Sequence, residues 1–292
     1  LGWDVLHADN PKLIMVRVSG YGQSGPKRDE PGFAAVAEAM SGLRYLTGEP
    51  GRPPVRAGLS LGDTIAGLHG ALGVLLALYE RDARGGEGQV IDVALYESLF
   101  NLSKSLLPEY SAFGAVRQPA GGALPGIAPS NAYLCGCGEY VLIAANGDAI
   151  FRRLMAAMGR NDLGEDPALA RNDGRVKRVD EIDAAITAWT KTQTVASALE
   201  VLRTADVPSG RIYTVKDIAE DPHYRARGVI ETVTSAKGLQ VEVPGIMPKL
   251  SGNPGGIHDR APTLGEHTDS VLADAGFDAA AIADLRTRGV IA

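Results

Sequence analysis

One carboxylate stands apart by its setting. In Ala57-Gly58-Leu59-Ser60-Leu61-Gly62-Asp63-Thr64, Asp63 is the one acid in an otherwise apolar loop, and an apolar helical pattern begins there. Two readings follow from the residues. Asp63 can cap the helix, its oxygens accepting from unpaired backbone N–H groups. It can also serve a functional role as an anion, which a helix N-terminus favours by about 0.3–1 kcal/mol at an exposed site. The residues alone leave both open.

Other reactive side chains form no constellation. The histidines His7, His69, His223, His258 and His267 are scattered, and none pairs with another at metal-ligand spacing. His69 lies six residues beyond Asp63, on a different side of the helix. Cys135-Gly136-Cys137 is neither a Cys-x-x-Cys redox motif nor enough for a four-ligand zinc site. There is no Walker sequence and no Gly-x-Ser-x-Gly elbow, and Gly20-Tyr21-Gly22 lacks the remainder of a dinucleotide fingerprint.

The elements that would carry Asp63 read as strand and helix in alternation. Lys12–Ser19 is a short apolar run with β-branched residues that ends in the loop Gly20 to Pro26, which predicts a buried strand. Ala34–Leu43 is Ala-rich and helical in pattern, and a long helix is expected from about Asp63 to Glu80. In it Ile65, Leu68, Leu72, Leu75 and Leu76 recur at helical spacing and predict the core face. Gly67, Gly70 and Gly73 each cost about 1 kcal/mol relative to Ala, so a neighbouring helix or strand is expected to approach closely there. After Gly85-Gly86-Glu87-Gly88 come a strand, Gln89–Val93, and a helix near Ala94. This order predicts an α/β unit with a mainly parallel sheet.

Gly, Pro and Ala dominate Arg117–Pro129, which reads as a linker or mobile loop. Beyond it a strand, Tyr140–Ala145, precedes helices at Ala149–Met158, Asp180–Thr192 and Val195–Ala205, with Ile182, Ala185, Ile186 and Trp189 as an apolar stripe. The last stretch shows a strand-like Leu239–Val243 and a terminal amphipathic helix.

Composition bounds the class. At 292 residues with 45% hydrophobic and 22% charged side chains, the chain can bury a core without disulfides or metal staples and is neither disordered nor collagen-like. The net charge of −6 argues against a nucleic-acid surface or an anionic-lipid anchor as its main partner. The longest apolar stretch, Leu68–Leu78, is shorter than the roughly 20 residues of a membrane span. Two cysteines predict a reduced, cytoplasmic compartment.

Several phrases occur in an order that resembles the class III CoA-transferase (CaiB/BaiF) family, formyl-CoA transferases included. They are Ser19-Gly20-Tyr21-Gly22-Gln23-Ser24-Gly25-Pro26, Ala39-Met40-Ser41-Gly42-Leu43 with Thr47-Gly48, and Gly85 to Glu97. Val207-Pro208-Ser209-Gly210, Asp221-Pro222 and Leu264-Gly265-Glu266-His267-Thr268 follow in the same order. The resemblance implies an acyl-CoA:carboxylate CoA-transferase in which Asp63 is the nucleophile and passes through an aspartyl-CoA thioester. It also implies that Ser19, Gly20, Tyr21 and Gly22 contact CoA, and that Gly121-Gly122 belong to a mobile active-site loop. Gly58, Gly62 and Gly67 would leave room for pantetheine. No permanently bound cofactor or metal is implied, since CoA and acyl-CoA are substrates; the partners are an acyl-CoA and a small carboxylic acid, in an interlocked homodimer.

Two departures qualify the resemblance. Racemases of the same fold pair the aspartate with a histidine in a Gly-His-Asp phrase; here the phrase is Gly32-Phe33-Ala34, and Phe33 exchanges no proton. The family also begins with a nucleotide-binding half that has no counterpart here, so Leu1 is expected to lie inside a helix-to-strand connection of a longer gene product. The expected architecture is therefore α/β: a Rossmann-like large domain lacking its N-terminal half (1–107), a Gly-rich linker (108–130), a smaller α/β domain (131–218), and a C-terminal segment (219–292) returning to the large domain. A 2-methylacyl-CoA racemase and a non-catalytic CoA-binding scaffold stand as the alternatives.

Overall fold

The computed structural model describes residues 2–291, which divide into two compact units meeting between Arg211 and Ile212. Both helices and strands are present throughout, as expected for a mixed α/β chain.

The first unit opens with helix α1 (Trp3–Asp9), which the sequence pattern did not announce, followed by strand β1 (Met15–Ser19). Helices α2 (Ala34–Met40) and α3 (Leu43–Leu46) replace the single helix expected over Ala34–Leu43, because Gly42 takes a left-handed conformation at φ 85° and breaks the run. Helix α4 (Leu61–Arg84) leads to strand β2 (Val90–Ala94), which pairs parallel to β1 with Met15 opposite Val90 and Ser19 opposite Ala94. A parallel pair joined by a crossover containing a long helix is the predicted unit. Helices α5 (Leu95–Phe100) and α6 (Leu106–Phe113) follow.

Helix α4 buries the opposite of what its leucines predict. Gly62, Ala66, Gly70 and Ala77 are its buried residues, whereas Leu68, Leu72, Leu75 and Leu76 are each more than half exposed. The small residues win because the helix lies almost on the sheet: a Cβ on Gly73 would sit 2.7 Å from Ile91 Cγ2, and one on Gly70 3.5 Å from Val16. The predicted close approach is thus a strand packing against glycine, at Gly70 and Gly73 but not at Gly67, which has open space beside it. At 24 residues α4 is also long and apolar enough to cross a membrane by length and composition, which corrects the shorter span read from Leu68–Leu78. Its contacts run to β1, β2, α2 and α5.

A second core occupies residues 133–207. Strands β3 (Ser130–Leu134), β4 (Tyr140–Ala144) and β5 (Ser209–Arg211) form an antiparallel sheet in that order. Over it pack α7 (Asp148–Ala157), the short α8 (Asn161–Gly164) and α9 (Asn172–Lys177), then α10 (Val179–Thr190) and α11 (Val195–Thr204). Ile182, Ala185 and Ile186 of the predicted stripe are buried, and Trp189 packs against them at the edge. Thr194 and Ser197 form a reciprocal capping box that starts α11.

The second unit contains α12 (Val215–Glu220), α13 (Pro222–Ala226), the hairpin β6 (Ile230–Thr234) with β7 (Gln240–Pro244), and the terminal α14 (Thr268–Asp274) and α15 (Ala279–Thr287). The phrase Leu264 to Thr268 lines a hollow of about 490 Å³ together with Val271, Leu272 and Ile291.

Candidate active site

Asp63 is the third residue of α4, and the N-cap is Ser60. The capping reading of Asp63 is therefore corrected. The spacing Ser60-x-x-Asp63 is that of a capping box, in which the acid reaches back to the N-cap amide. Neither side chain caps: Ser60 has ψ 63°, and its hydroxyl accepts no hydrogen bond from the first turn. Thr64 Oγ1 donates to Ser60 O at 3.0 Å instead. The Asp63 carboxylate is exposed and makes no hydrogen bond or ion pair with the described residues.

Two glycine contacts tie the strand-end loop to this helix end. Gly20 lies against Gly32, where a Cβ would come within 2.8 Å of Gly32 Cα. Two residues on, Ala34 begins α2, and a Cβ on Gly62 would meet Ala34 Cβ at 3.2 Å. Asp63 follows Gly62. Any larger side chain at Gly20 or Gly62 separates layers that the structure holds at backbone contact.

The loop itself is held by polar bonds. Ser19 Oγ accepts from Gly22 N at 3.0 Å and from Gln23 Nε2 at 3.2 Å. Gln23 N donates to Asp92 Oδ2 at 2.9 Å, fastening the loop after β1 to strand β2. Tyr21 is half-buried, with Tyr96 6.3 Å away and the Lys27 ammonium 5.6 Å from its ring centre. Ser19, Gly20, Tyr21 and Gly22 thus cluster at the C-terminal end of a parallel strand, the end at which open α/β sheets bind ligands.

Gly121 and Gly122 sit elsewhere. Gly121 N donates to Gly48 O at 2.9 Å, and the Glu49 carboxylate lies 2.6 Å from where a Gly121 Cβ would be. Asn131 Oδ1 crowds Gly122 in the same way at 2.9 Å. The C-terminal end of this segment is anchored by buried Arg175, which donates to Ala128 O at 3.0 Å, and by Asn172, which bonds Gly126 O and Ala128 N.

A buried ion cluster escaped the sequence. Glu38, on the same face of α2 as Ala34, is 2% exposed; Arg44 Nη2 donates to its Oε2 at 2.7 Å, and Arg56 Nε lies 3.5 Å from its Oε1. The available signal was a single acid among alanines in Ala34-Ala35-Val36-Ala37-Glu38-Ala39-Met40. His69 lines a cavity of about 300 Å³ with Asp92, Glu97, Ser98 and Asn101. His7 stacks on Trp3 at 4.4 Å. Cys135 is buried, which pushes its thiol pKa up, and Cys137 is exposed; both are free. Among the described residues no three His, Cys, Asp or Glu side chains are grouped to hold a metal ion.

The family model for CoA-transferase family III matches residues 1–268. The chain belongs to CoA-transferase family III. This family III transferase is 44% identical over 274 residues to a succinyl-CoA–D-citramalate CoA-transferase of Chloroflexus aurantiacus, covering 94% of this chain and 68% of that relative. It is 39% identical to a succinyl-CoA–L-malate CoA-transferase beta subunit of the same organism, covering all of this chain and 73% of the relative. Formyl-CoA:oxalate CoA-transferase of Rhodopseudomonas palustris is similar at 33% identity, over 99% of this chain and 73% of its own length. A crystal structure of a CaiB/BaiF family protein from Brucella suis superimposes with a TM-score of 0.78 at 31% identity, covering 94% of this chain and 71% of that one. The transferase reading of the sequence and its CaiB/BaiF resemblance are both borne out.

Proposed function

We propose that this family III transferase moves CoA between dicarboxylic acids through a CoA thioester on Asp63. The observation that carries the reading is the Asp63 carboxylate, exposed and unpaired although a capping partner stands one turn away. A carboxylate in a capping box would be bonded to the Ser60 amide. Relatives named for succinyl-CoA with citramalate or malate supply the substrate class.

The chemistry balances without a cofactor. The Asp63 carboxylate attacks the donor thioester carbonyl, forming a mixed anhydride and expelling CoA thiolate. The thiolate attacks the aspartyl carbonyl, which gives aspartyl-CoA and frees the donor acid. The acceptor carboxylate then attacks aspartyl-CoA, forming a second anhydride and expelling CoA thiolate again. That thiolate attacks the acceptor carbonyl, releasing the new acyl-CoA and restoring Asp63. In this reading Ser19, Gly20, Tyr21 and Gly22 contact CoA, and Gly121-Gly122 belong to a mobile active-site loop.

Phe33, 80% exposed at the N-cap of α2, offers no base for exchange at an α-carbon, so the racemase alternative lacks its second group. We place the enzyme in the cytoplasm, where free Cys135 and Cys137 are stable, and as a homodimer. Asp63→Asn and Asp63→Ala in the full-length protein should abolish transfer from succinyl-CoA to malate or citramalate while the circular dichroism spectrum and melting temperature are retained. Near-normal turnover in either variant overturns the reading.

A further inference from the structure

The cluster around Glu38 places a cation beside the nucleophile's helix without a partner for its outer edge. Glu38 is the one titratable side chain of α2 and is almost wholly buried. Two guanidinium groups face its one carboxyl. Arg44 is the inner of the two, with its side chain 27% exposed, while that of Arg56 is 45% exposed. Arg56 Nε lies 3.5 Å from Glu38 Oε1, an ion pair without a hydrogen bond, and the two terminal amino groups of Arg56 make no hydrogen bond to the described residues. The amino groups of a guanidinium form a planar fork, the geometry that receives a carboxylate in two parallel bonds.

Its position is fixed by the same packing that places Asp63. Glu38 lies four residues after Ala34 on one face of α2, about 6 Å along the axis. Ala34 touches Gly62, the residue before Asp63. Arg56 itself belongs to the exposed segment that leads into α4. Arg56 and Asp63 thus lie seven residues apart, on either side of the start of α4, and both are exposed.

We propose that Arg56 is the specificity-determining residue for the acyl group: its guanidinium receives the free carboxylate of the dicarboxylic acid while the other end reacts at Asp63, with Glu38 as the positioning residue that holds Arg56. The inference rests on the transferase reading above and deepens it. It explains how the site would separate a dicarboxylic acyl group from a monocarboxylic one of the same length, since an apolar end would leave the fork unpaired.

The test compares succinyl-CoA with butyryl-CoA, which replaces the free carboxylate by a methyl group, as CoA donors to a common acceptor in the full-length protein. The wild type is expected to favour succinyl-CoA. In Arg56→Gln the ratio of kcat/KM for succinyl-CoA over butyryl-CoA should fall by about tenfold or more, chiefly through KM for succinyl-CoA, as loss of a charge-assisted pair requires. Arg56→Lys, which keeps the charge and loses the fork, should recover part of the ratio. An unchanged ratio in an active Arg56→Gln enzyme, or a Lys variant no better than Gln, overturns the role of Arg56 and leaves the transferase reading standing. A wild type that accepts neither thioester overturns the transferase reading itself.

Discussion

Ala34 and Gly62 meet at backbone contact: a Cβ added to Gly62 would lie 3.2 Å from Ala34 Cβ and 3.3 Å from Ala34 Cα. That contact decides where α4 begins relative to α2, and hence where Asp63 stands. Gly62→Leu should force the helices apart, destabilising the protein by about 1–3 kcal/mol. Transfer activity should fall by more than the lost folded fraction accounts for. Thermal melts paired with kcat at a temperature where the variant remains folded check this, and an unchanged kcat would contradict it.

Arg175 is fully buried and donates four hydrogen bonds, to the carbonyls of Ala128, Leu169 and Asn146 and to Asp148 Oδ1 at 2.8 Å. Its guanidinium also lies 5.0 Å from the centre of the Phe151 ring. Truncation removes all four bonds and opens a cavity, with Asp148 left to Arg171 alone. Arg175→Ala is expected to cost about 3–5 kcal/mol in denaturant unfolding, and Arg175→Lys to recover little, because a point charge does not reach four acceptors. A loss below about 1 kcal/mol would contradict this account.

Much of this was legible and some was not, for reasons that divide by physics. The stripe Ile182, Ala185 and Ile186 announced a buried face because large apolar side chains at helical spacing have one favourable place to go. Helix α4 reversed that logic: its glycines and alanines permit a closer approach than its leucines do, and periodicity weighs a leucine above a glycine. Asp63 was legible as a candidate from its isolation, but its being unpaired depends on the backbone angles of Ser60. Glu38, Arg44 and Arg56 are separated along the chain and become one cluster only when α2 and the segment before α4 are folded together. The anchoring of the strand-end loop by Asp92 spans 69 residues of sequence and left no local trace.

Glu266 accepts from Arg260 and from the amide and hydroxyl of Thr263, and these bonds hold its carboxyl down at about 2. A carboxyl whose folded value lies below its unfolded one stabilises the fold above the unfolded value. That contribution is lost as pH falls towards the folded one. The stability of the unit from Ile212 onward should therefore decline between about pH 4.5 and pH 2, and Glu266→Gln should flatten that decline. Chemical denaturation as a function of pH reads this directly; identical slopes for the two proteins would contradict it.

The central claim is the covalent role of Asp63, and trapping tests it most directly. Full-length protein is incubated with succinyl-CoA and hydroxylamine, digested, and mapped by mass spectrometry. Hydroxylamine cleaves an activated aspartyl ester or thioester and leaves a hydroxamate. The modification is predicted at Asp63 alone, dependent on succinyl-CoA and absent from Asp63→Asn. An unmodified Asp63 in protein that is turning over, or a hydroxamate at another carboxylate, would contradict the account.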